Sequence, residues 1–127
     1  MTKQQLLQNT DLFLLDLDGT VYLDETPIGD VKNTLARLRA CGKKLVYLTN
    51  NSSKTPEEYV GKLRRIGLWE EGDGVYTSAM AAIEYLSAHY EGARVHVLAT
   101  DAVRAQFGRA GVILADVSPE VCVLAYD

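Results

Sequence analysis

The sequence has few cysteines and no long apolar stretch. The first argues against a cysteine-based metal or redox site, and the second argues against a membrane protein. Its 127 residues include 2 cysteines. Cys41 and Cys122 lie far apart and lack the spacing of a metal or redox motif, so we expect two buried side chains without a chemical role. No apolar stretch approaches the roughly 20 residues of a membrane span, and residues 1–11 lack the apolar region of a signal peptide. We therefore expect a cytoplasmic protein that does not enter a membrane.

The sequence also lacks an excess of positive charge. It has 13 lysines and arginines against 17 aspartates and glutamates, which gives a net charge of −4. The sequence has no basic run and no basic residues interleaved with aromatic ones, so we do not expect it to bind nucleic acid. The length and the 47% of hydrophobic residues suit one globular domain.

Two carboxylates follow the first apolar run of the chain. Residues 12–15 predict a strand that is buried on both faces, and it ends in Asp16, Leu17 and Asp18, followed by Gly19. Side chains at i and i+2 of an extended segment project to the same side, so Asp16 and Asp18 should stand together. They would lie at the carboxyl end of the strand, which is where open α/β sheets bind ligands.

Two like charges at such close range require a cation between them or a proton on one of them. A hard divalent ion such as Mg²⁺ would bring a phosphate ester to the site, with one aspartate as nucleophile and the other as acid and base. The alternative is that Asp16 and Asp18 merely end a strand and open a turn. The apolar run directly before them favours a site.

A second polar cluster follows the next predicted strand. After a loop or flap over residues 21–30, Asp30 is expected to cap a helix, and the strand 45–48 then ends in Thr49 and Asn50. A strand, a helix and a second strand form a unit with both strands parallel, so both carboxyl ends share one sheet edge. Thr49 and Asn50 offer a hydroxyl, an amide and backbone N–H groups to phosphate oxygens. Taken alone, they would indicate only a turn.

The rest of the chain alternates between helices and strands. Thr55, Pro56 and Glu58 predict a helix start with a capping box, and Thr77 or Ser78 is expected to cap the following helix. Further predicted elements are a strand over 94–99, a helix from about Asp101 with Val103 and Phe107 inward, and strands over 112–114 and 121–125, the last as apolar as a central strand. This order predicts an α/β fold with a doubly wound parallel sheet.

Three segments carry a resemblance to a known family. DLDGT (16–20), LTNNSSKT (48–55) and YTSAMAAIEYL (76–86) resemble motifs of the haloacid dehalogenase superfamily. The branch is the NagD-like one, with the 4-nitrophenylphosphatases and phosphoglycolate phosphatases. The resemblance implies a Rossmann-like core whose N-terminal part is residues 1–76, with residues 77–127 as the first part of an inserted α/β cap domain.

The resemblance also implies roles for individual residues. Asp16 would be the nucleophile and a Mg²⁺ ligand. Asp18 would be the general acid and base, with its backbone carbonyl as a second Mg²⁺ ligand. Thr49 and Asn50 would bind the transferring phosphoryl group, helped by backbone amides around Gly19. The implied reaction is hydrolysis of a small phosphate ester, of the sugar phosphate, phosphoglycolate or aryl phosphate type, through an aspartyl-phosphate.

The family's later motifs do not occur in this sequence. They are a lysine and an acidic pair that follow the cap. We therefore expect this chain to be the N-terminal half of a phosphatase, inactive alone, and to associate with itself through an exposed sheet edge.

Two alternatives remain. One is a receiver-type signalling domain, which needs a phosphorylatable aspartate after its third strand and a lysine after its fifth. The predicted strands before Thr49 and Thr77 end in no aspartate, and no late strand ends in a lysine, which argues against it. The other is a non-catalytic fragment that binds a partner through its unpaired edge.

Overall fold

The computed structural model describes residues 1–125 as alternating helices and strands. In chain order they are α1 (Lys3–Gln8), β1 (Leu12–Asp16), β2 (Tyr22–Leu23), β3 (Thr26–Pro27), α2 (Val31–Ala40), β4 (Lys44–Thr49), α3 (Pro56–Arg65), β5 (Gly74–Thr77), α4 (Ser78–His89), β6 (Arg94–Ala99), α5 (Asp101–Arg109), β7 (Ile113–Leu114) and β8 (Val121–Ala125). The predicted α/β fold with parallel sheets is confirmed. Tyr126 and Asp127 lie outside the described residues, so the end of the expected segment 77–127 is not covered.

The chain divides into two compact units. The first combines residues 1–48 with 60–75, and the second combines residues 49–59 with those from 76 onward. The expected domain boundary between residues 76 and 77 stays a prediction.

In the first unit, β1 and β4 run parallel with α2 as the crossover between them. The register pairs Leu12 with Lys44 and Asp16 with Leu48. β5 lies on the other side of β4, which gives the strand order β1-β4-β5. The predicted strand–helix–strand unit is therefore confirmed.

The helix α2 begins and ends near the predicted positions. Asp30 occupies the N-cap position, but its side chain makes no capping hydrogen bond. Its Oδ1 instead accepts a hydrogen bond of 2.6 Å from Nδ2 of Asn33. Beyond the last turn, Gly42 has a φ of +74°, which a side chain would disfavour. The end of the helix thus follows the prediction, whereas the capping bond does not.

The predicted burial of β1 on both faces is wrong. Leu12 is 49% exposed and Leu14 is 59% exposed, whereas Phe13 and Leu15 are half-buried. Alternate side chains of a strand point to opposite faces, so one face is covered and the other is not. Among the described residues, β1 also pairs only with β4 and so lies at the edge of its sheet.

The segment predicted as a loop over residues 21–30 contains a small hairpin. β2 and β3 are antiparallel, with Tyr22 opposite Pro27 and Leu23 opposite Thr26. Asp24 in the two-residue connection has a φ of +51°, a conformation that aspartate tolerates better than most residues. Pro27 ends this short strand pair, where a missing N–H costs little.

A partly buried ion pair joins the end of α2 to the segment before β5. Nη2 of Arg39 donates to Oδ2 of Asp73 at 2.7 Å and to the carbonyl of Leu68 at 2.9 Å. The Tyr47 hydroxyl also donates to the Leu68 carbonyl. Burial, followed by the charge of Asp73, raises the pKa of Tyr47 to about 12. Burial lowers the pKa of Arg39, but the hydrogen bond and charge of Asp73 outweigh it and leave that pKa raised.

The second unit has a parallel sheet in the order β7-β6-β8, and its helices supply the other half of the core. The buried side chains are Ala79, Leu86, Val95, Val97, Val103, Phe107 and Ala125. The predicted inward positions of Val103 and Phe107 are confirmed, since both are fully buried. Burying a side chain of the size of Phe107 contributes about 1.5–3 kcal/mol.

Two burial predictions fail elsewhere. Cys41 and Cys122 are both exposed, the first just after α2 and the second on β8. In the part of the chain that the structure describes, β8 pairs only with β6, and Leu124 on it is 77% exposed, so the apolar run of β8 is not buried like that of a central strand. One uncovered face accounts for both Cys122 and Leu124, which alternate with half-buried residues. Across residues 1–125, no helix has the length and apolar character to cross a membrane.

Candidate active site

The end of β1 exposes two carboxylates on either side of a buried leucine. Asp16 and Asp18 are exposed, whereas Leu17 between them is fully buried. Because alternate residues of an extended segment point to opposite sides, the burial of Leu17 directs both carboxylates away from the core. The buried Leu17 thus fixes the backbone, while Asp16 and Asp18 on either side of it stay at the surface.

The backbone closes a tight turn directly after this pair. Gly19 N–H donates to the carbonyl of Tyr22 at 2.8 Å, and the N–H groups of Thr20 and Val21 donate to the carbonyl of Leu17 at 3.1 and 3.0 Å. Gly19 has a φ of +81°, and a Cβ added there would meet no atom within 4 Å. Glycine is therefore required for the backbone conformation and not for lack of space.

These backbone bonds bear on the expected phosphate-binding role of Gly19. Its amide is engaged with the Tyr22 carbonyl, so a phosphate oxygen would have to compete for that N–H group. The role of Gly19 in binding phosphate stays a prediction.

The hydroxyl of Thr20 holds the Asp16 carboxylate. Oγ1 of Thr20 donates to Oδ2 of Asp16 at 2.9 Å. A hydrogen bond to an ionised oxygen is stronger than one between neutral groups, so it restricts the rotation of the carboxylate. Sequence reasoning missed this contact, although a hydroxyl four residues after an aspartate, across a glycine turn, was its signal.

Thr49 and Asn50 form the start of the loop that follows β4. Thr49 is buried, and its Oγ1 accepts a hydrogen bond of 3.1 Å from the N–H of Asn51. Asn50 is exposed, and its carbonyl accepts a hydrogen bond of 3.0 Å from Oγ of Ser78. Thr49 directly follows Leu48, the register partner of Asp16.

The remainder of this loop leads into the capping box of α3. Oδ1 of Asn51 accepts hydrogen bonds from the N–H and the hydroxyl of Ser53 at 2.8 and 2.6 Å. Thr55 N–H donates to Glu58 Oε2 at 2.7 Å, and Glu58 N–H donates to Thr55 Oγ1 at 3.3 Å. The predicted capping box is confirmed. A side-chain bond also reaches the loop from Thr100, whose hydroxyl donates to the Ser53 carbonyl at 3.0 Å.

The donor set of the acidic pair fits a hard cation. Within residues 1–125, no group of three histidine, cysteine, aspartate or glutamate side chains is placed to hold a metal ion. Mg²⁺ ordinarily takes only one or two carboxylates, keeps several waters and binds substrate phosphate. The exposed carboxylate of Asp16, with a backbone carbonyl of Asp18 as the second protein ligand, would match that preference.

Comparisons with known proteins agree on one family. The family model for haloacid dehalogenase-like hydrolases matches residues 13–113. The chain is 40% identical to the glycerol-3-phosphate phosphatase of Gallus gallus over 113 residues. These matched residues make up 87% of this chain and 36% of that protein.

Two solved structures share the fold. The 4-nitrophenylphosphatase of Thermotoga maritima superposes with a TM-score of 0.86 at 33% identity, over 94% of this chain and 46% of that one. The glycerol phosphate phosphatase of Mycobacterium tuberculosis in complex with magnesium superposes with a TM-score of 0.84 at 29% identity. The match covers 95% of this chain and 37% of that one. The chain thus spans less than half the length of each of these three proteins.

Proposed function

The chain belongs to the haloacid dehalogenase-like hydrolases, and on that premise we propose that it carries the nucleophile of a Mg²⁺-dependent phosphatase of small phosphate esters. The observation that carries the proposal is the pair Asp16 and Asp18, exposed around the buried Leu17. The names of the relatives support the substrate class, since one acts on glycerol-3-phosphate and another is a 4-nitrophenylphosphatase.

In the first step, a carboxylate oxygen of Asp16 attacks phosphorus, and the bond between phosphorus and the alcohol oxygen breaks. Asp18 donates its proton to the departing alcohol. The product on the protein is an aspartyl-phosphate. The hydrogen bond from Thr20 to Oδ2 leaves Oδ1 of Asp16 as the attacking oxygen.

In the second step, water attacks the phosphorus of the aspartyl-phosphate. Asp18, now ionised, takes a proton from that water, and the bond between phosphorus and Asp16 breaks. Inorganic phosphate leaves, and both carboxyl groups return to their starting states. The surface position of Asp18 supports this role because water reaches it without a change of fold.

Thr49 and Asn50 bind the transferring phosphoryl group in this proposal, with a contribution from the amide of Gly19. The Thr49 hydroxyl and the exposed Asn50 are donors, as a phosphoryl oxygen requires. Asp16, through its carboxylate, and Asp18, through its backbone carbonyl, would hold Mg²⁺, which when bound would neutralise charge on the phosphoryl oxygens.

The test separates binding from turnover. Mg²⁺ should shift the amide resonances of residues 16–20 in the ¹⁵N spectrum of the 127-residue chain, and Asp16→Asn should abolish that shift. Asp11→Asn is the matched control, because Asp11 is an exposed aspartate before β1. Hydrolysis of 4-nitrophenyl phosphate by any active form should stop with a chelator. A folded chain in which Mg²⁺ does not shift the amide resonances of residues 16–20 would contradict the metal assignment.

A second candidate function is self-association through β1. The observation in its favour is the exposure of Leu12 and Leu14 on a strand at the sheet edge. Leu14→Lys should lower the apparent mass in sedimentation if copies associate there, whereas Lys3→Glu, a change on an exposed residue of α1, should not. An unchanged mass in Leu14→Lys would remove this candidate.

A further inference from the structure

One peptide group joins the hydroxyl of Ser78 to the hydroxyl of Thr49. The carbonyl of Asn50 accepts from Ser78 Oγ at 3.0 Å, and the N–H of Asn51 donates to Thr49 Oγ1 at 3.1 Å. These two groups belong to the same trans peptide, so they point in opposite directions. Ser78 and Thr49 therefore lie at the two ends of one chain of hydrogen bonds.

We propose that Ser78 is a positioning residue that acts through this peptide to direct the Thr49 hydroxyl toward a phosphoryl oxygen. The proposal rests on the proposed function, in which Thr49 binds that group. It concerns a residue that sequence reasoning considered only as a helix cap.

The direction of the Thr49 hydroxyl follows from its hydrogen bond. A threonine oxygen that accepts from a backbone N–H keeps its own proton for another acceptor. Thr49 is 7% exposed, so water has little access to that proton. The peptide between Asn50 and Asn51 thereby makes Thr49 a donor, as an anionic ligand needs.

Ser78 strengthens and fixes that peptide. Bonds in a chain polarise one another, so a donor on the Asn50 carbonyl strengthens the bond from the Asn51 N–H to Thr49. Ser78 is also well anchored, because it is the first residue of α4. A rigid helix thus sets the orientation of a peptide in a loop.

The hydroxyl of Ser78 is not needed to begin the helix. Thr77 caps α4, with its Oγ1 accepting from the N–H of Met80 at 3.2 Å. Ser78→Ala therefore removes the bond to Asn50 while it leaves the cap in place. This separation makes Ser78 suitable for a test that does not disturb the fold.

A cleft lies beside this contact. Its volume is about 270 Å³, and its lining includes Asn50, Ser52, Ser78 and Ala79. The Ser78–Asn50 contact is therefore open to solvent on the side of this cleft.

The experiment compares three variants with the 127-residue chain. Ser78→Ala removes the donor, Ser78→Thr restores a hydroxyl, and Ser87→Ala removes an exposed serine from the same helix. The ligand-free readout is the ¹⁵N shift and hydrogen exchange of the Asn51 amide. The ligand readout is the affinity for inorganic phosphate in the presence of Mg²⁺.

We expect Ser78→Ala alone to shift the Asn51 resonance, to speed its exchange and to weaken phosphate binding by about 2- to 10-fold. Ser78→Thr should recover both readouts. An Asn51 amide that is the same in Ser78→Ala overturns the proposal, and so does a phosphate affinity that stays unchanged while the resonance moves.

The failure of the proposed function has a different signature. A chain that binds no phosphate in any variant removes the role of Thr49, and the positioning role of Ser78 is overturned with it. The Asn51 resonance still shows in that case whether Ser78 holds the peptide. The two failures are thus distinguished by the ligand-free spectrum.

Discussion

The turn after β1 and the loop after β4 both place polar residues behind a strand, but different bonds hold them. In the turn, the N–H groups of Gly19, Thr20 and Val21 all donate to carbonyls of the same short segment. Such a turn closes on its own backbone. It depends on one residue type at one position, the glycine with positive φ.

The loop after β4 is held by side chains that come from distant parts of the sequence. The hydroxyls of Ser78 and Thr100 donate to the carbonyls of Asn50 and Ser53. The comparison teaches that the turn beside Asp16, the proposed nucleophile, is held by its own backbone, whereas the proposed phosphate-binding loop takes its shape from side chains elsewhere in the sequence. Substitutions should therefore affect the two segments in different ways.

The largest effect should come from Asp16, the proposed nucleophile. Asp16→Asn keeps the shape of the side chain and an oxygen for Thr20, but an amide is a far weaker nucleophile. Turnover of 4-nitrophenyl phosphate by any active form should fall on the order of 10³-fold or more, while phosphate esters still bind. Asp11→Asn should keep the normal rate. Near-normal turnover by Asp16→Asn would remove the nucleophile assignment.

The next effect concerns the buried hydroxyl of the loop. Thr49→Val removes the hydrogen bond from the Asn51 N–H to Thr49 Oγ1 and removes the proposed donor to phosphate. We expect phosphate affinity to fall by about 10-fold or more, measured by titration calorimetry. Thr49→Ser keeps the hydroxyl and should bind within about twofold of the parent chain. Equal affinity in the valine and serine variants would contradict the role of Thr49.

The third effect separates backbone conformation from space. Gly19→Ala should lower the free energy of unfolding by about 1–2 kcal/mol, because its φ of +81° disfavours a side chain although no atom lies near. Gly61→Ala is the matched control, since Gly61 lies in α3 with open space around it. It should raise the free energy of unfolding by about 0.5–1 kcal/mol. Urea titrations that give both variants the same sign would contradict this account.

The smallest effect should come from Thr20. Thr20→Val removes the hydrogen bond to Asp16 but leaves the backbone turn intact, so the free energy of unfolding should change by less than about 1 kcal/mol. Any active form should lose less than about 10-fold in rate. Thr20→Ser is expected to match the parent chain. A loss in Thr20→Val as large as that in Asp16→Asn would mean that Thr20 itself takes part in the reaction.

Local patterns in the sequence predicted local structure well. The capping box of Thr55 and Glu58 and the inward positions of Val103 and Phe107 depend on residues three or four positions apart, so a short window contains their causes. The parallel pairing of β1 with β4 followed from the strand–helix–strand order. The site residues at the two strand ends were predicted from the same rule, and their roles remain predictions.

Burial and the contacts of the loop could not be predicted in this way. An apolar run indicates a strand, but it does not show whether another layer covers each face, so the exposure of Leu14 and Leu124 was missed. The prediction for Cys122 rested on the average burial of cysteine. The bond from Ser78 to Asn50 joins residues 28 positions apart, which no periodicity links.

The two exposed thiols have a practical consequence for measuring distances in solution. Cys41 belongs to the first unit and Cys122 to the second, and the sequence contains no other cysteine. A spin label or fluorophore on each thiol would report the separation of the units without any added mutation. The distance between the two labels could therefore be measured in the unaltered chain, with and without Mg²⁺ or phosphate. A change in that distance would show that the ligand alters the arrangement of the units.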